Sequence, residues 1–82
     1  MDLERVRARG EYEEMKLEAE RLKMAGEEAR EALSDAIAIF HDIESVDVAR
    51  VTFLAAQLVE AAAKLQVETL PKMRLIQQRY GL

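Results

Sequence analysis

Cysteine is absent from the 82 residues, which excludes disulfides and thiolate metal sites and leaves the redox compartment open. Tryptophan is absent too. Two Phe and two Tyr are the whole aromatic complement, and much of the 50% apolar fraction is alanine. Bulk for a one-chain core is therefore scarce, in a chain whose length allows one domain and burial of only about 60% of the surface its unfolded form exposes. One Pro and three Gly leave few places where a helix must break. No apolar run approaches the roughly 18 residues of a membrane span, and the start of the chain is too charged for a signal peptide. A cytoplasmic protein with no membrane contact is expected. A basic excess is also missing, since the net charge is −4. That sign argues against a nucleic-acid backbone as main partner, because such affinity rests on clustered Lys and Arg.

Charged residues make up 34% of the chain and are unevenly spread. Residues 1–31 hold seven basic and ten acidic side chains, 32–63 one and five, and 64–82 four and one. Through the first half, apolar residues recur at three- and four-residue steps, which puts them on one face of an α-helix. With Tyr12, Ala19, Gly26, Leu33 and Phe40 at heptad position a, position d holds Ala8, Met15, Leu22, Ala29, Ala36 and Ile43. This is the seam of a coiled coil. Opposite charges three or four residues apart, such as Glu18 with Arg21 and Glu27 with Arg30, solvate the outer face and add about 0.2–0.5 kcal/mol each. Asp2 is the expected N-cap, with Glu4 at the positive end of the helix dipole. Beyond Gly26 the stripe widens with Ala25, Ala32, Ile37 and Ile39, as in a helix buried on several sides. Gly26 itself is read either as the end of a first helix, giving a monomeric three-helix bundle, or as an interior glycine excused by tight packing. The unbroken heptad register favours the second.

Residues 45–47 read as a turn, with Asp47 as N-cap of the next helix, Val46 packing before it, and Ser45 as the alternative cap. The second apolar arm repeats Val51, Ala55, Leu58, Ala62 and Leu65, and between positions 51 and 63 only Glu60 is ionisable. One partner helix cannot cover so many apolar faces, so a second subunit is expected. Pro71 is expected to kink or restart the helix near Leu70. Met73, Ile76 and Tyr80 share one side of the tail, and Gly81 closes it.

Candidate chemistry is thin. His41, the single histidine, has Asp42 beside it and Asp35 and Glu44 at helical spacing, a partial ligand set at best. It reads as an exposed histidine near a helix C-terminus. Glu11, Glu13, Glu14, Glu18 and Glu20 alternate with Lys and Arg on a wet face, where nothing would push their pKa values apart for acid–base work. No phosphate-binding glycine loop or nucleophilic triad is spelled out. An enzyme reading would need Arg5, Arg7, Arg9, Lys16 and Arg50 to line a pocket between subunits and clamp an acidic substrate. A nucleic-acid-accessory reading would use Tyr12 with Arg5, Arg7 and Arg9, or Arg74, Arg79 and Tyr80.

The expected architecture is all-α: one domain over 1–82, a helix over 2–44, a turn at 45–47 and a helix over 48–80 kinked at Pro71. This antiparallel helical hairpin would assemble as a homodimer or tetramer, an oligomeric bundle of coiled-coil type. The expected function is non-enzymatic and cofactor-free: a helical protein–protein interaction, scaffold or chaperone-like module. Leu33, Ile37, Phe40, Leu54, Leu58 and Leu65 are the candidates for self-association. Tyr12, Met15, Leu22 and Met24 are the candidates for a helical protein partner, on the expectation that the second arm is too short to cover them.

Overall fold

The computed structural model describes residues 2–82, and Met1, the first residue of the expected domain, lies outside the described residues. Helix α1 spans Leu3–Ala38, α2 Val48–Ala63 and α3 Leu70–Tyr80. A π-helical turn at Lys64–Thr69 joins the last two into one arm. The two arms lie antiparallel as a helical hairpin, a rod of 64 × 16 × 15 Å.

Local chemistry sets the ends. The Asp2 carboxylate accepts from the amides of Glu4 and Arg5 at 3.0 and 3.3 Å, satisfying donors that have no partner inside the helix. Asp47 does the same for α2 through the Arg50 amide at 3.0 Å. Gly81 ends α3 in the left-handed region, φ 65°, which glycine enters without steric cost, and its amide returns to the Gln77 carbonyl at 2.9 Å.

Helix α1 passes through Gly26 without interruption, which rules out the three-helix bundle. A Cβ placed on Gly26 would meet only the Ala61 Cβ, at 3.8 Å, an ordinary contact distance. Close packing therefore does not require the glycine. The helix ends at Ala38, six residues before the expected boundary at Glu44. Asp42 and Ser45 offer the backbone local partners that compete with the helix. The Ser45 amide donates to the Asp42 carboxylate at 3.0 Å, and the Ser45 hydroxyl accepts from the His41 and Asp42 amides. The result is a short 3₁₀ turn at Ile43–Ser45 that swings Ile43 out to solvent and off the expected seam.

The buried residues are mostly small: Ala8, Ala19, Leu22, Ala29 and Ala36 from α1, with Ala61 and Thr69 from the second arm. On α1 every buried apolar residue sits at a or d of the heptad register. On the second arm the inward residues Val51, Leu54, Leu58, Ala61 and Leu65 alternate steps of three and four. Continued unchanged, that alternation would next turn Glu68, Lys72, Leu75 and Arg79 inward. The π turn prevents this. With the Leu70 amide reaching back five residues to the Leu65 carbonyl, one extra residue is taken up, and the inward set becomes Thr69, Met73, Ile76 and Tyr80. The same widened turn precedes Pro71, whose ring and missing amide do not fit a regular helical turn. The helical course runs on through the proline, so the break expected near Leu70 takes the form of a change of register.

Candidate functional site

The expectation that the second arm falls short of the first is overturned. Tyr80 shares a cleft with Glu4, Arg7, Ala8 and Glu11, and Leu82 shares one with Arg9 and Tyr12. Because helix runs almost unbroken from Val48 to Tyr80, the arm reaches the start of α1. Of the four candidate partner residues, Leu22 is buried in the hairpin seam and Tyr12 and Met15 are half-buried there. Only Met24, 66% exposed, faces outward.

The self-association candidates divide in a similar way. Leu33, Phe40, Leu54, Leu58 and Leu65 are all half-buried; Phe40 lies in the connection just past α1, and the helical positions of the other four turn them towards the opposite arm of the same chain. Ile37 lies on the flank, 47% exposed. The outward apolar surface of the second arm is made by other residues: Val48, Phe53, Val59, Val67 and Leu75, between 61% and 73% exposed, with Ala56 between Phe53 and Val59. The sequence signal for them was the near absence of charge in 51–63. Helical phase within that run separates Leu58, which turns inward, from its neighbour Val59, which turns out.

The outer face of α1 is richer in charge, beside the exposed Leu3, Leu17 and Met24. Arg9, Lys16, Lys23 and Arg30 recur every seventh residue, with Glu13, Glu20 and Glu27 on the adjoining row. The Arg21 Nε donates to Glu18 at 2.9 Å and the Arg30 Nε to Glu27 at 3.1 Å. Arg21's hydrogen bonds hold the Glu18 carboxyl below the usual carboxylate range, against partial desolvation, and the charges of Arg21 and then Lys64 add to the effect. The Arg21 guanidinium is raised in turn by its hydrogen bond to Glu18.

One side of the hairpin carries a groove of about 440 Å³ between α1 and α2. Its floor is apolar, made by Leu22, Ala25, Ala29, Ala32, Leu54 and Ala61, and its rim holds Arg21, Glu28, Gln57, Glu60 and Lys64. Both cations are occupied, Arg21 by Glu18 and Lys64 by Glu60 at 3.3 Å. Two rim carboxylates balance the two cations, so this rim does not form the cationic clamp that an acidic substrate would need. Arg5, Arg7 and Arg9 lie at the open end of the rod and Arg50 near its turn, so one chain does not gather them. The hairpin does bring Arg5, Arg7, Arg9 and Tyr12 to the same end as Arg74, Arg79 and Tyr80. Glu4, Glu11 and Glu13 line the clefts there and dilute the positive charge.

His41 and Asp42 sit in the exposed connection, and no group of three or more His, Asp or Glu side chains converges among the described residues. No described helix is long and apolar enough to cross a membrane. No protein-family model, curated protein or solved structure matches the chain.

Proposed function

We propose that the chain is a small, non-enzymatic helical interaction module, scaffold or chaperone-like, that works through self-association. The observation that carries this reading is the second arm's outer face, where Phe53 and Val59 stand 61% and 65% exposed on a helix with one ionisable residue between positions 51 and 63. Isolated exposed apolar side chains are ordinary on protein surfaces, but a helix face on which Glu60 is the one charge among Phe53, Ala56 and Val59 is a candidate contact surface. Opposite it, α1 interleaves alternating charge with the exposed Leu3, Leu17 and Met24.

The double variant Phe53→Glu/Val59→Glu tests the reading, because both residues lie outside the hairpin seam. Sedimentation velocity over a dilution series is expected to show association in the natural chain and its loss in the variant. A natural chain that sediments as a fully helical monomer at every concentration would overturn the proposal.

A further inference from the structure

Surface area and charge both bear on what the exposed apolar face of the second arm fits. A compact monomer of 9.3 kDa exposes roughly 5,000 Å². This chain exposes 6497 Å². The excess, about 1,500 Å², is within the roughly 1,000–2,500 Å² that an obligate dimer removes from each partner. It belongs to a rod whose seam buries alanines and one leucine, with no larger apolar side chain enclosed.

Charge chooses the orientation. Along α2 and the start of the π turn, the ionisable residues are Arg50, Glu60 and Lys64. Two copies packed in parallel would stack Glu60 on Glu60 and Arg50 on Arg50. An antiparallel pair centred on Ala56 places Glu60 level with the partner's Thr52, about 3 Å along the axis from the partner's Arg50. The same register sets Phe53 against the partner's Val59 and leaves the small Ala56 at the crossing point, where helix axes approach most closely.

We infer that the occupant is a second copy of this chain, docked antiparallel through the exposed apolar face of α2 around a two-fold axis at Ala56, so that the working unit is a row of four helices with the two α2 helices in the middle. The inference rests on the self-association reading and adds to it the face, the direction and the register. In that assembly the two α1 helices lie outside, with their charged rows and the exposed Leu3, Leu17 and Met24 on the surface that other molecules meet.

Because the chain has no cysteine, single-cysteine variants of the full chain report geometry directly. A disulfide requires Cα atoms about 4.4–6.8 Å apart. Ala56→Cys, Phe53→Cys, Val59→Cys and Met24→Cys are each checked for natural helicity, sedimented in reducing buffer, then oxidised and read on non-reducing gels. Ala56→Cys should link to itself, and a mixture of Phe53→Cys with Val59→Cys should form the mixed dimer at least ten-fold faster than either forms its own. Met24→Cys, on the outer side of α1, should not link. Faster self-linking of Phe53→Cys and Val59→Cys would mean parallel pairing, and fast linking at Met24 would mean the wrong face. Either result overturns the antiparallel dimer and leaves self-association standing. Sedimentation of all four variants and the natural chain as monomers would overturn both.

Discussion

The two arms of the hairpin meet along one seam but present opposite surfaces to the outside. α1 carries rows of paired charge beside the exposed Leu3, Leu17 and Met24, whereas α2 places Phe53, Ala56 and Val59 outward and has Glu60 alone among ionisable groups within 51–63. Both arms have comparable helical length, so the difference does not come from secondary structure. A face whose i, i+3 and i+4 neighbours pair as Glu with Lys or Arg is well solvated by itself, and a face with little charge is solvated less well.

The sharpest test of this comparison uses adjacent residues on α2. Leu58→Asp puts a charge into the hairpin seam and should cost about 2–4 kcal/mol, enough to unfold a chain with so small a core. Urea or thermal melts followed by circular dichroism should show helix loss independent of protein concentration. Val59→Glu, one residue on, should leave the hairpin seam intact and lower stability only through dissociation. Equal effects of the two would mean that α2 has no outer face distinct from its inner one.

A smaller effect is expected at the glycines. Gly26 and Gly10 are both interior to α1, and an added Cβ meets ordinary contact distance at the first and open space at the second. Gly26→Ala and Gly10→Ala should each raise stability by about 0.5–1 kcal/mol, visible as a higher melting temperature. A loss at Gly26 would show that the arms sit closer there than 3.8 Å allows.

The π turn gives a test in which little should change. Removing Val67, which is 73% exposed, together with Pro71→Ala takes out the extra residue and the ring that needs it. Thr69, Met73, Ile76 and Tyr80 then fall on the continued three–four alternation, so the variant should keep its helicity with a stability change within about 1 kcal/mol. Deleting a residue from the middle of α2 instead, at Ala56, should break the seam from there on.

The charged face should respond least. Glu18's carboxyl is lowered in the folded chain, so the stability it contributes is present above the ordinary glutamate value and fades as pH falls through the lowered one. The pair is exposed and i,i+3, so the expected acid shift in melting temperature is small. It should vanish in Glu18→Gln.

Much of the fold was legible because it is local. The seam of α1 follows from heptad spacing, and the caps at Asp2 and Asp47 follow from short carboxylates placed just before helical runs. The early end of α1 was harder to read, because Phe40 and Ile43 continue the apolar pattern while Asp42 and Ser45 take the backbone away from it. The outward role of Phe53 and Val59 was half legible: the lack of charge was plain, but which apolar residues faced the other arm was not.

The sequence by itself determined that the chain is helical, where the second arm starts and stops, and which arm carries the charge, since propensity, capping and charge pairing act within a few residues. Only the tertiary structure decided that the second arm reaches back to Ala8, that Leu22 lies inside the hairpin, and that a π turn rotates Met73, Ile76 and Tyr80 onto the seam. Those outcomes depend on a face of one helix meeting a face of another some fifty residues away, and a one-residue change of register is settled by that contact.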